Sequence, residues 1–378
     1  NVHYLVNGVA TSGNGTSLPA GISLNGSTLS IDPTNSAYST LPLGQIKTIV
    51  VNYQVTDPSG ATVNQSETIT IHGEYVQGTA IDGYVQGAKV FINHNGTLID
   101  TGSVTTSTGQ YSFSGGVQLA AGDQIIVQGG TDIFTGKTIQ GELIAPIGYS
   151  VTTPLTTLLA LAPSGTLTSA QIMKALGLPS SINLATFDPV GQMLSGDPVI
   201  AANANQLFTA QQTVFTILQT ASAVALANNG QATQSDATKY AAVSLAATKL
   251  VDAITTLSNN VGGTTVSLQT QLSSITQNVI QQVLVTSNPT TDAGLMSAQA
   301  QNIANVVNSV NQNIITNYAN LATALANPIT SADYLAKAKA TAGVSQSILL
   351  DQVNTINQAT SISAVTSSAS NFGNSLKI

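Results

Sequence analysis

The chain has no cysteine, no tryptophan and no arginine, and only 7% of its 378 residues are charged. Without cysteine there are no disulfides, no thiolate metal sites and no cysteine nucleophile. Arginine is the side chain best shaped to grip phosphate and base edges. Its absence, with all nine basic residues lysine and a net charge of -7, excludes a nucleic-acid partner. An ordinary globular protein is about 25% charged. Here Ser, Thr, Asn, Gln, Ala and Gly make up the difference, which gives a polar surface with little repulsion between copies.

Long apolar runs are also missing. The longest, Leu155 to Ala162, is about half the length a membrane span requires, so no transmembrane segment is expected. The chain begins at Asn1 with neither Met nor a signal peptide. It is expected to be a mature or excised piece of a longer precursor.

What is present divides at Tyr149–Pro163, YSVTTPLTTLLALAP. Before it lie short strand candidates, among them Val2–Val6, Ile22–Leu24, Thr28–Ile31, Ile46–Asp57 and Ser66–Gly73. They are punctuated by SGNGTS, NG, DPTN and DPSGA, which are turn chemistry. Ile49, Val51, Tyr53 and Val55 share one face of a half-buried strand. After the divide the period changes to alternating threes and fours. It runs through Ala204, Leu207, Gln211, Val214 and Leu218, through Val243, Ala247, Leu250 and Ile254, through Ala300, Ile303, Val307 and Val310, and through Leu349, Val353 and Ile356. Repeated seams of that period predict packed helices. Breaks are expected at 227–236, 259–265, 286–294 and 327–333. Within the divide, Thr152 or Thr153 should cap a short helix with Pro154 at its first position. Leu155, Leu158 and Leu159 should pack between domains.

Two resemblances follow from these segments. TLSIDP, YQVTDPSG and the closing TITIHG resemble the Ig-like and VCBS-like modules of bacterial and archaeal surface proteins and giant adhesins. The strand DGYVQGAKVF, the loop Asn93–Asp100 and the strand TSTGQYSF resemble the carboxypeptidase-regulatory, or prealbumin-like, β-sandwich. Together they imply an α+β multidomain chain. Two small antiparallel β-sandwich modules, Ig-like over 1–74 and prealbumin-like over 75–148, would be followed by an elongated antiparallel helical bundle over 149–378.

Calcium is the one cofactor the residues suggest. Asn93, Asn95 and Asp100 place oxygens around a glycine turn, with Asp82 nearby in the strand before. The loop has lost the acidic charge that calcium affinity depends on, so an ordinary Asn-Gly hairpin is the stronger reading. Asp57, Asp82, Asp123 and Asp132 could instead line a junction between modules, although aspartate in glycine-flanked turns is already explained by turn chemistry. The only histidines, His3, His72 and His94, have no zinc spacing, and there is no GxSxG nucleophile elbow. No enzyme is expected.

The first functional expectation is a self-assembling extracellular surface protein, a surface-layer or filament subunit whose partner is itself. Val2, Tyr4 and Val6, at the very start of the chain, would complete a sheet in a neighbouring copy by strand addition. The alternative is the adhesion or ligand-binding region of a large secreted adhesin, with a cell-surface glycan as partner.

Overall fold

A computed structural model describes residues 2–6, 9–10, 18–25, 28–42, 45–73, 75–114, 119–139, 141–227, 234–259, 268–289, 291–319 and 349–375. The protein is mixed α and β, with small antiparallel sheets in its first part and helices after them. It forms two compact units, Asn1–Gln77 with Ser112–Ala120, and Gly78–Tyr111 with Ala121–Ile378.

The first unit holds β1 (Val2–Val6), β2 (Val9–Ala10), β3 (Ile22–Asn25), β4 (Thr28–Ile31), the short α1 (Ser36–Ser39), β5 (Ile46–Thr56) and β6 (Thr62–His72). Its main sheet runs β2-β1-β5-β6, and β3 and β4 form a separate hairpin. Val6, Ile22, Tyr38, Ile49 and Val51 make its small core. The alternation expected in β5 holds at its centre, where Ile49 and Val51 are buried, and fades outward, leaving Val55 45% exposed.

β7 (Val76–Ala80) and β11 (Gln110–Phe113) carry the chain across the boundary between units. The strands that follow in the second unit are short: β8 (Val85–Gln86), β9 (Lys89–His94), β10 (Thr97–Val104), β12 (Gln124–Gln128), β13 (Thr131–Asp132), β14 (Lys137–Thr138), β15 (Glu142–Pro146) and β16 (Val151–Thr152). They build sheets ordered β10-β9-β12-β15, β11-β7-β16 and β14-β13-β8. Asn95 and Gly96 close the β9–β10 hairpin with φ of 51° and 85°, flanked by the pair His94 and Thr97. This is a two-residue turn of the kind Asn-Gly favours, because both central residues need positive φ.

The helices are α2 (Pro154–Leu161), α3 (Ser169–Leu176), α4 (Pro189–Gln192), α5 (Pro198–Ala227), α6 (Asp236–Asn259), α7 (Leu268–Ser287), α8 (Ala293–Tyr318), α9 (Leu349–Asn357) and α10 (Ile362–Ser375). Thr153 is the N-cap of α2 and exchanges hydrogen bonds with Thr156 in a capping box, with Pro154 at the first helical position. The break expected at 286–294 separates α7 from α8. The one at 327–333 lies outside the described residues, as do most of 227–236 and 259–265.

α5 is the hub of the second unit and packs on α2, α4, α6, α7, α8 and α9. At 1.5 Å per residue its 30 residues span about 45 Å. The seam positions Ala204, Leu207, Gln211, Val214 and Leu218 are all buried, and so is the opposite row of Asn205, Thr209, Gln212, Thr216 and Gln219. A helix enclosed on all sides must find partners for most of its polar groups. The hydroxyls of Thr209, Thr213, Thr216 and Ser222 each donate to the carbonyl four residues back. α6 contains a 22-residue stretch, Asp236–Leu257, long and apolar enough by length and composition to cross a membrane. Its Ala246, Ala247, Leu250, Val251 and Ile254 are buried in the core shared with the other helices.

Candidate functional site

Three places carry functional interest: an open sheet edge in the first unit, and a buried polar cluster and a cavity in the second.

The open edge is β6. It pairs with β5 over its full 11 residues, from Ile46 opposite His72 to Thr56 opposite Thr62, and no described strand pairs with its other side. Side chains from Thr62 to Thr68 are all exposed. The strand carries one acidic residue, Glu67, and neither lysine nor proline. Val2, Tyr4 and Val6, expected to serve a neighbouring copy, lie opposite Val55, Tyr53 and Val51 of their own chain. β1 is therefore an inner strand, and β2 covers its Leu5 and Val6 on the far side.

The buried cluster grows from the sequence Asp82-Gly83-Tyr84. Asp82 is 1% exposed, and the Gln212 carboxamide of α5 donates both to its backbone carbonyl and, at 2.6 Å, to its Oδ1. Gly83 sits against the carboxylate of Asp132, where any side chain would collide with Oδ1. Tyr84 donates at 2.7 Å to Asp188, the N-cap of α4. Burial, with Asp188 beside it, pushes the Tyr84 phenol far above its usual range. Asp132 is fully buried and accepts from the Phe134 backbone and the Thr135 hydroxyl, both at 2.8 Å. Tyr318 stacks on Phe208 at 5.7 Å, and Phe134 meets Phe208 edge-on at 6.1 Å. Complete burial, with the carboxylates of Asp132 and Asp82 nearby, raises Tyr318 well above the ordinary phenol. The cluster is a polar joint between strands and helices.

The suggested calcium residues are each engaged by other groups. Asn93 donates to Gln124 at 3.0 Å and to the Tyr240 hydroxyl at 2.8 Å. Asn95 forms the hairpin turn, Asp100 accepts from the Gly102 N–H at 2.8 Å, and Asp82 belongs to the joint with α5. Of the aspartates suggested for a module junction, Asp57 is exposed and caps its own turn through Ser59 and Ala61. Asp123 and Asp132 are buried, Asp123 against His94 Nδ1 at 2.9 Å. Among the described residues no group of three or more His, Cys, Asp or Glu side chains is placed to hold a metal ion.

Leu155 and Leu158 are fully buried in the helical core, and Leu159 packs against it partly buried. α2 reaches β15 on one side and α5 and α6 on others. Sequence reasoning missed the role of two threonines there. The Thr156 hydroxyl donates to the Ile144 carbonyl and the Ile144 N–H donates to the Thr157 hydroxyl, both at 2.8 Å. β15 is the last strand of its sheet, so α2 satisfies that edge with side chains.

The cavity, about 670 Å³, lies between β12, β14 with Ile139 and Gly141, α5, α6 and α9. Gln219 reaches it from α5, and Lys137, Lys239 and Asp351 supply its charges. Gln219 is 3% exposed and neither atom of its amide has a partner. Beside Gly141 of the wall, Glu142 is 2% exposed and accepts from Gln128 at 2.6 Å through one oxygen, the other having no partner. Burial pushes the Glu142 carboxyl up to about 7, against the smaller opposing pull of Gln128 and Lys239.

Comparison with known protein families, with curated proteins and with solved structures finds no match to the chain.

Proposed function

We propose that the chain is a structural, self-assembling protein of an extracellular surface, a surface-layer or filament subunit, whose copies join at the open edge of the first unit's sheet. The observation that carries this reading is β6, 11 residues long, exposed along most of its length and paired on one side only. Unpaired backbone N–H and C=O groups on such an edge are a template for a strand from another chain. Natural edges are usually blunted by lysine, proline, a bulge or a cover, and β6 has neither lysine nor proline and pairs with β5 without a register shift. A surface with 7% charged residues adds little repulsion between approaching copies.

In this reading the first unit is an Ig-like module, the strands before α2 form a prealbumin-like sandwich, and the long helices form an antiparallel bundle. Antiparallel pairing in the first unit and the row of neighbours around α5 support those assignments. The role is architectural rather than catalytic, the location is the cell surface, and the partner is a further copy rather than nucleic acid or a membrane. Concentrating the purified chain and imaging it by negative stain tests the proposal. Ordered sheets or fibres are expected, and particles that stay single at every concentration would rule it out.

The second reading is the ligand-binding region of a large adhesin, with a glycan as partner. The cavity beside Gln219 is the observation that favours it.

A further inference from the structure

We propose that the strand added to β6 is β6 of a second copy, paired antiparallel about a two-fold axis through Ser66. This rests on the reading that copies join at the β6 edge, and it adds which strand they use and in what register.

Length is the first argument. Strand addition is strongest between edges that match over many residues, because each residue brings backbone donors and acceptors. The opposite edge of the same sheet ends in β2, two residues long and paired only with Leu5 and Val6 of β1. A head-to-tail contact with that edge would leave most of β6 unpaired. β10 is an edge strand of the second unit, but its ladder with β9 shifts register between Asp100 and Val104, and it carries an acid of its own. Among the described residues β6 is the longest strand paired on one side only, so the edge that matches it best is its own copy.

The second argument is space. Side chains from Thr62 to Thr68 are exposed on both faces of the strand, so nothing in its own chain overhangs this part of the edge. Val63 is 56% exposed and lies opposite the exposed Val55 of β5, which leaves an apolar pair at the rim of the sheet for an added strand to cover.

Charge fixes the register. A two-fold axis keeps each face of the joined sheet on its own side, so opposing positions are both odd or both even and the axis passes through a residue. The strand's one acidic residue, Glu67, decides which. An axis through Glu67 sets carboxylate against carboxylate, which is destabilising. Axes through Gln65 or Thr68 set it against Val63 or Ile69. The axis through Ser66 alone sets each Glu67 opposite a side-chain amide, that of Gln65 in the other copy, whose N–H can donate to the carboxylate. In the same register Val63 faces Ile69, Asn64 faces Thr68 and Thr62 faces Thr70, apolar with apolar and polar with polar from Thr62 to Thr70. The product is a pair sharing one continuous sheet, the unit on which a larger array is built.

Because the chain has no cysteine, a single introduced one reports the register. Opposing Cα atoms in an antiparallel ladder are about 4.5–5.5 Å apart, within the roughly 4.4–6.8 Å that a disulfide spans. Ser66→Cys should therefore cross-link to itself under mild oxidation. Asn64→Cys and Thr68→Cys should each fail to cross-link alone and should cross-link when mixed. Gln65→Glu sets carboxylates face to face twice in each pair and should weaken association about tenfold in sedimentation, and adding Glu67→Gln should restore it. Circular dichroism confirms the fold of each variant. Association of the wild type without a Ser66→Cys disulfide, equal cross-linking of Asn64→Cys alone, or association unaffected by Gln65→Glu overturns the two-fold register while leaving the open-edge reading in place. A wild type that stays monomeric at every concentration overturns both.

Discussion

The backbone N–H of Ile144 donates to the side-chain hydroxyl of Thr157 at 2.8 Å, so a helix side chain fills the place of a missing strand at the edge of a sheet. Thr156 completes the substitution by donating to the carbonyl of the same residue. The protein thus covers the β15 edge in its second unit, while among the described residues no strand pairs with the outer side of β6 in its first. Edge covering is within this chain's means where it is used, which makes the bare edge of β6 informative.

Replacing Thr156 and Thr157 together by valine keeps shape and removes both hydroxyls. Ile144 would then have a buried donor and a buried acceptor without these partners, and the buried N–H of Thr153 would lose the Thr156 hydroxyl that accepts from it in the capping box. A loss of about 3 kcal/mol or more is expected, from roughly 1–3 kcal/mol per unsatisfied group. Urea unfolding measures it. Leu158→Ala, at a fully buried position, should cost a similar 2–5 kcal/mol, and Leu159→Ala, at a partly buried one, clearly less.

Two glutamines seven positions apart on α5 should respond in opposite directions to the same substitution. Gln212→Leu takes a donor from the buried carboxylate of Asp82 and should destabilise by about 1–3 kcal/mol. Gln219→Leu takes nothing from any protein group and should be neutral or stabilising. Chemical denaturation of the two variants side by side checks this, and equal losses would show that both amides are held alike.

Stability should fall as pH rises through the weakly acidic range because of Glu142. Its carboxyl is held near 7 by burial in the folded protein, against about 4.5 unperturbed, so between those values the folded state binds a proton that the unfolded chain has released. The contribution is fully present below about 4.5, declines up to about 7 and is gone above it. Gln128, Lys239 and Asp236 are the groups acting on it, and all are retained in Glu142→Gln. That variant should lose this part of the pH dependence and gain on the order of 3 kcal/mol at pH 8, the equivalent of a shift of roughly two to three pKa units. Unfolding free energies measured from pH 4.5 to 8 provide the check.

Much of the helical core was legible, because a seam of apolar residues three and four apart has one physical meaning. Ala247, Leu250, Ile254, Ile303, Val307 and Val310 are all buried as their spacing required. The cap of α2 was readable to within one residue, Thr152 or Thr153 before Pro154, and the structure places it at Thr153. The polar row of α5 was not. Thr and Gln at a helix surface look alike in sequence whether they face water or an interior, and only the positions of Asp82 and the strands decide between the two. The strand order was hidden for a related reason. The alternation in β5 shows which face is buried, while nothing in Val2–Val6 tells whether it pairs inside its own sheet or beyond it. Asp82-Gly83-Tyr84 reads as a turn because its role depends on Gln212, Asp132 and Asp188, all distant in sequence.

Proline scanning of β6 tests the central claim most directly. Adjacent strand residues point their N–H groups to opposite sides, so of Gln65→Pro and Ser66→Pro one removes only an outward donor and leaves the pairing with β5 intact. Assembly of each purified variant is followed by sedimentation and negative stain, with circular dichroism confirming the fold. The account predicts that the wild type assembles and that the folded proline variant stays monomeric. A wild type that never assembles, or a folded outward-proline variant that assembles as the wild type does, contradicts it.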